Sequence, residues 1–202
     1  MKTTRLLILI ALLGTLSCKK KSPDPPKEVL QTGSVAIGGQ DYPTVKVGDQ
    51  IWTSANYKGN GGITGNKTEY GKYYTYEEMK QVVLPQGWRV PLETDFQKLV
   101  AFAGVVWQNN AITNPEMIKK LASASGWKNV QGNNILGFNL FPGGYSVNNA
   151  APADGDLGEL WMDDGKTFCI IESGNLTHHR IVFYAKSPAP DRFNLRLVRD
   201  AP

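Results

Sequence analysis

The chain has 202 residues, 41% of them hydrophobic, a formal net charge of +4 and two cysteines. That is enough for one domain with a packed core. The lysines and arginines form neither a basic helix nor a stripe interleaved with aromatic residues, which excludes nucleic acid as a partner class. No H-E-x-x-H, P-loop or G-x-S-x-G pattern occurs.

The N-terminus carries the strongest localisation signal. Lys2 and Arg5 precede an apolar run over residues 6–16, and Ser17 stands just before Cys18. The run has the length of a signal-peptide core and is too short to span a bilayer as a helix. A cysteine at this point resembles the bacterial lipoprotein signal, in which it becomes the lipidated first residue of the mature chain. Thr15 stands where that pattern prefers Leu, Ile or Val. The alternative is an ordinary secretory signal cleaved nearby, leaving Cys18 as a free thiol. Residues 1–17 are therefore assigned to the signal and 18–32 to a lipidated cysteine and tether. Residues 19–27, KKKSPDPPK, contain no apolar side chain apart from proline and suit an extended linker. Lys19, Lys20 and Lys21 would each add about 1 kcal/mol of attraction to an anionic membrane surface. With Cys18 lipidated, Cys169 has no disulfide partner, and its apolar neighbours mark it as a buried small hydrophobe.

Residues 33–202 form the globular part. Residues 35–37 and 42–47 suit strands, with Gly48 and Asp49 as the turn into Ile51 and Trp52. Residues 56–68 are rich in Gly, Asn and Thr and predict a loop. A short strand is expected within 70–76, followed by a short helix through Glu77, Glu78 and Met79. After Pro91, residues Phe96, Leu99, Val100 and Ala103 recur at helical spacing. Glu93 and Asp95 stand in that helix's first turn, where carboxylates suit the dipole. A second helix is predicted from Asn114 as N-cap and Pro115 at N1 to a stop at Gly126, burying Ile118, Leu121 and Ala122. Strands are expected at 137–141, 158–162, 167–172, 179–186 and 193–199. In the last two, Ile181, Phe183, Leu195 and Leu197 point inward and alternate with outward neighbours. Helices early and strands late predict an α+β domain.

Three stretches concentrate aromatic, Gly and Pro residues at element boundaries: 84–91 with Trp88, 125–128 with Trp127, and 137–145 with Pro142, Gly143, Gly144 and Tyr145. Together with the hairpin from Tyr42 to Trp52, the segment from Tyr70 to Tyr74 and the ending from Leu195 to Asp200, their order resembles the Fibrobacter succinogenes major paralogous domain. That family is frequent in lipoproteins of Bacteroidetes. The resemblance implies a C-type-lectin-like single domain, with two main helices packed on irregular antiparallel sheets joined by long loops. Leu92 stands where the family has a capping Thr, and Leu197 where it often has Cys. The segment from Leu160 to Asp163 replaces a Trp-Trp-Ser-Ser run where such folds place a binding loop.

The resemblance also brings in formylglycine-generating enzymes, whose oxidase chemistry needs a cysteine pair, and one unlipidated cysteine does not supply it. His178 and His179 are adjacent in a strand and so face opposite sides, which rules out one shared hydrolytic site. No enzyme is expected. Asp154, Asp156, Glu159, Asp163 and Asp164 crowd one Gly-containing segment, as oxygen ligands for calcium would, although the spacing is not that of an EF-hand. The alternative is a solvated acidic loop. Trp161, Trp107, Tyr73, Tyr74 and Tyr76 are candidate aromatic platforms, with one or two at most expected to escape the core. Trp161, Tyr145 and Asp163 are the residues expected to touch a ligand. The expectation is a lipoprotein of the cell envelope, at the outer membrane, recognising a glycan or an envelope or surface protein. A structural or tip subunit of a surface assembly is the alternative.

Overall fold

A computed structural model describes residues 30–172, 178–185 and 191–202. The signal segment, Cys18 and most of the tether lie outside these residues. The strands are β1 (Thr32–Ile37), β2 (Gln40–Val47), β3 (Gln50–Thr53), β4 (Ile63–Thr64), β5 (Lys72–Tyr73), β6 (Trp107–Gln108), β7 (Ala111–Ile112), β8 (Leu157–Trp161), β9 (Thr167–Glu172), β10 (His179–Tyr184) and β11 (Val198–Asp200). The α-helices are α1 (Tyr76–Lys80) and α2 (Glu93–Phe102). An antiparallel sheet runs in the order β1-β2-β3-β11, and a second in the order β10-β9-β8. The architecture is α+β and sheet-rich.

Successive residues of β2 and β3 point to opposite sides, which gives the first sheet two different faces. Val45, Val47, Trp52 and Val198 meet Phe96, Leu99 and Val100 of α2 and the Phe168–Ile170–Ile181 side of the second sheet. The Trp52 ring lies 5.2 Å from Phe96, which stacks on Phe168 at 4.3 Å. A second core is rich in tyrosine: Tyr42, Tyr57 and Tyr74 gather with Met79, Trp161, Phe193, Leu195 and Leu197. Buried phenols need acceptors. Tyr73 donates to the Gly143 carbonyl at 2.6 Å and Tyr74 to that of Gly59 at 3.2 Å.

The missing cap at α2 has a local explanation. Leu92 offers no side-chain acceptor, but the Asp95 carboxylate reaches back to the Leu92 N–H at 2.8 Å. Asp95 also accepts from Gln50 at 2.8 Å and from Arg89 at 2.7 Å. One carboxylate thus closes the helix start and ties it to β3. At α1 both halves of a capping box form between Thr75 and Glu78.

Four expectations fail. The predicted second α-helix is a 3-10 helix, Pro115–Lys120. Its continuation is taken by tertiary pairing: Leu140 N–H donates to the Leu121 carbonyl, and Ser123 N–H to the Leu140 carbonyl. Asn114 does not cap it, because its side chain instead bridges the Gly104 carbonyl and the Val106 N–H, both at 2.7 Å. Residues 137–141 and 193–197 form single bridges rather than strands. Alternation also fails at Arg196, which is as fully buried as Leu195 and Leu197.

Arg196 explains its own burial. Its Nε donates to Asn56 Oδ1 at 2.5 Å, Nη1 to the carbonyls of Thr53 at 2.8 Å and Phe138 at 2.6 Å, and Nη2 to the Asn139 carbonyl at 2.8 Å. The guanidinium also lies 5.0 Å from the Phe138 ring centre. A planar cation with fixed donors can join three separate backbone segments in this way, which an ammonium cannot. Desolvation lowers its pKa to about 9, so it stays charged at neutral pH.

Candidate functional site: the outer face of the second sheet

Register places nine residues in a grid on the face of β8–β9–β10 turned away from the Phe168 core. Leu157, Ile171 and Arg180 form one row, Glu159, Cys169 and Val182 the next, and Trp161, Thr167 and Tyr184 the third. Burial falls off across the grid. Glu159, Trp161, Cys169 and Thr167 are buried, Leu157, Ile171 and Val182 are half-buried, and Arg180 and Tyr184 are exposed. The covered side results from close approach. Gly144 and Asn194 bridge to Gly158 and Leu160 of β8, and a Cβ on Gly158 would stand 2.5 Å from the Phe141 carbonyl. This accounts for the glycines and proline of the 137–145 stretch.

At the boundary of cover and opening, an aromatic stack runs outward. Tyr76 lies 5.8 Å from Trp161, Trp161 meets Phe193 edge-on at 4.7 Å, and Phe193 stacks on Tyr145 at 5.7 Å. Tyr145 is 39% exposed. Trp161 is buried, so it is not a platform, and its indole N–H donates to the Tyr74 carbonyl at 2.7 Å. It serves as the fixed base on which Phe193 and Tyr145 rest. Tyr73 and Tyr74 are likewise core, and Tyr76 is half-buried. Asp163 sits at the buried end of the stack, where its carbonyl accepts from the Tyr76 hydroxyl and its carboxylate from Lys80, both at 3.0 Å. Trp107 is exposed elsewhere, on the β6–β7 hairpin beside an apolar recess of about 250 Å³ lined by Val100, Val105 and Phe183.

The five carboxylates of residues 154–164 do not converge. Asp154 pairs with Lys67, Asp156 with Lys128, Asp163 with Lys80 and Asp164 with Lys166, at 3.0–3.5 Å. Glu159 instead lies buried on the outer face of the sheet and accepts from the Thr167 hydroxyl. Among the described residues no group of three or more His, Cys, Asp or Glu side chains is placed to hold one metal ion. The calcium arrangement suggested by sequence crowding is thus replaced by four separate ion pairs and one buried acid. Strand alternation separates Glu159 from the loop acids.

Burial pushes the Glu159 carboxyl up to about 7, against a smaller opposing effect of the Thr167 hydrogen bond. Burial also raises the Cys169 thiol, which keeps it protonated, and raises the Tyr184 phenol with added influence from Cys169, Glu159 and Tyr145. Register sets Tyr184 beside Thr167, the residue that donates to Glu159. On the opposite, core-facing side, His179 meets Trp127 edge-on at 4.4 Å, and neither ring nitrogen reaches a hydrogen-bond partner among the described residues. Desolvation lowers its imidazole to about 4, with Glu172 pulling weakly the other way. No motif pointed to Tyr184 or Arg196, and Glu159 stood out only as one of five crowded carboxylates. Register, which sets Glu159 beside Cys169 and Tyr184 beside Thr167, is what places Glu159 and Tyr184 on one face.

A sheet-rich α+β domain with a half-covered second sheet is the class these features define. The chain belongs to the Fibrobacter succinogenes major domain family, whose model matches residues 45–199. The match begins inside β2, whereas the folded unit also includes β1, paired with β2 along its whole length. No curated protein and no solved structure matches the chain.

Proposed function

We propose that the protein is an envelope-anchored recognition module that binds a carbohydrate or a protein surface without transforming it. The observation that carries this reading is the open part of the second sheet's outer face. There Tyr145 stands exposed, stacked on Phe193, and Tyr184 stands exposed at the end of β10, on the sheet face that carries the buried, neutral-leaning acid of Glu159. An aromatic ring with a polar tip gives contact area at little entropic cost, and a protonated carboxyl can donate as well as accept. The thiol of Cys169 is buried and protonated, and Glu159 bonds to a hydroxyl rather than to a base. The face therefore offers shape and hydrogen bonding rather than a nucleophile–base pair.

The architecture is read as C-type-lectin-like. Support comes from β11 closing on β3 in the first sheet, α2 packed on that sheet, and a second small sheet reached through a long irregular segment. Anchoring rests on the Cys18 signal and the Pro/Lys tether at the outer membrane. Lys19 to Lys21 lack the acidic residues of the Bacteroidetes surface-export signal, which favours the periplasmic side. No helix among the described residues is long and apolar enough to cross a membrane.

The test is a glycan array run beside affinity capture from native envelopes, using the mature chain and the variants Tyr145→Ala and Tyr184→Ala. Each variant should keep the fold and weaken the captured interaction by about tenfold, as loss of an aromatic anchor does. Unchanged binding in the double variant would sink the reading. Stable capture indifferent to both tyrosines would instead mark an assembly subunit. Palmitate labelling of Cys18→Ala equal to that of wild type would remove the anchor.

A further inference from the structure

The first sheet carries a second feature on the face turned away from α2. Register puts Lys46, Ile51 and Arg199 in one row across β2, β3 and β11, and Gly33 directly beside Thr44 on β1 and β2. With Trp88 as a wall, these residues line a cleft of about 350 Å³ that no Asp or Glu side chain among the described residues enters. That volume lies at the small end of the range for ligand pockets, about 300–1,000 Å³.

Two observations make the cleft more than a groove. First, the cations are uncompensated. No ion pair among the described residues uses Lys46 or Arg199, while the neighbouring Arg89 is held by both Asp95 and Asp200. Strands about 4.8 Å apart put the backbone positions of the two cations roughly 10 Å from each other with only Ile51 between. Second, the cleft is preformed. The Arg199 guanidinium lies over the Trp88 ring, 5.7 Å from its centre, and stacking fixes the plane while leaving in-plane N–H donors free. Gly33 holds the floor open: a Cβ there would stand 3.1 Å from Thr44 Oγ1.

We propose that this cleft binds an acidic saccharide, with Arg199 and Lys46 each taking an oxyanion and Ile51, Thr44 and Trp88 meeting the ring between. A planar carboxylate suits the arginine fork, and hydroxyl groups suit the Thr and Ser edges of the strands. A phosphate headgroup shares the oxyanion chemistry. Two cations rooted at backbone positions about 10 Å apart across a concave floor match charges on separate rings of one chain better than a single headgroup.

The test is an amide-shift NMR titration of the mature chain with an oligogalacturonate, a neutral oligosaccharide of equal length, and phosphatidylglycerol vesicles. The oligogalacturonate should move the amides of Gly33, Thr44, Lys46, Ile51 and Arg199, and its affinity should fall as salt rises. Lys46→Glu, at an exposed position, should weaken it by about tenfold or more. Gly33→Val, whose backbone is extended, should fill the floor and abolish binding while melting like wild type. Tyr145→Ala should leave binding intact, so this site and the face of the second sheet fail or succeed separately. The proposal is overturned by an equal response to the neutral sugar, by no shift at millimolar concentration, or by unchanged binding in a folded Gly33→Val. Vesicles moving these amides where the oligogalacturonate does not would overturn it too, in favour of a lipid surface.

Discussion

Two regions bury ionisable side chains completely, and they resolve the cost in opposite ways. At the junction of residues 53–56, 138–139 and 196, Arg196 is surrounded by four oxygen acceptors and remains a cation. In the second sheet, Glu159 has one hydroxyl donor and the His179 ring nitrogens have no hydrogen-bond partner among the described residues, and both groups are driven towards their neutral forms. The extent of burial is similar; the number of hydrogen-bond partners is not. Desolvation sets the cost, and partner count decides whether the charge survives.

The largest test of this contrast is at the junction. Arg196→Met keeps much of the volume but orphans the Asn56 amide oxygen and three carbonyls. Each buried unsatisfied acceptor costs about 1–3 kcal/mol. A total loss of roughly 3–5 kcal/mol is expected, as for a broken buried charge network. Chemical denaturation between pH 6 and 8 should show the full loss throughout, because the guanidinium does not titrate there. A loss under about 1 kcal/mol would mean that the four contacts do not act together.

Next in size is the pH dependence of the second sheet. The folded pKa of Glu159, about 7, lies above the ordinary glutamate value of 4.5. Its contribution is therefore fully present below pH 4.5 and is lost as pH rises through 7, by roughly 3 kcal/mol. The folded pKa of His179, about 4, lies below the ordinary histidine value of 6.5. Its contribution is present above pH 6.5 and is lost as pH falls through 4, by a similar amount. Across pH 4.5–6.5 the two slopes oppose each other. Glu159→Gln should expose a stability that falls on acidification over that window, and His179→Phe one that rises, both read by denaturant titration. Parallel profiles in the two variants would break the account.

Smaller still, Tyr145→Ala should cost about 1 kcal/mol through loss of its stack on Phe193. At the low end, Asp163→Asn removes an exposed pair with Lys80 and should change stability by no more than about 0.5 kcal/mol. A larger effect there would show that the acidic segment is a connected network rather than separate pairs.

Much of the first sheet was legible because its signals are local. The β2–β3 hairpin needs only alternation and a Gly-Asp turn, and α2 only a helical stripe after Pro91. The bounds of β9 fall where its apolar run begins and ends. The Pro115 helix misled because its continuation is settled by Leu140, about twenty residues away. Asn114 looked like a cap until its side chain found Gly104 and Val106. Trp161 was legible as important but not as buried, since composition shows the size of a side chain and not what covers it. The crowded acids looked like a metal site because spacing along the chain says nothing about which lysine approaches each one. Arg196 was the least legible residue: alternation predicted it outward, and its acceptors come from segments more than fifty residues before it.

The pairing of β11 with β3, together with the four acceptors waiting for Arg196, sets an order of events for the living chain. The first sheet lacks its fourth strand, and the junction at residues 53–56 lacks its cation, until residues 193–200 have arrived. A protein whose decisive contacts join its beginning to its end folds late and slowly. On the export route proposed above, such a delay would keep the polypeptide loose enough to thread through a membrane pore before it locks.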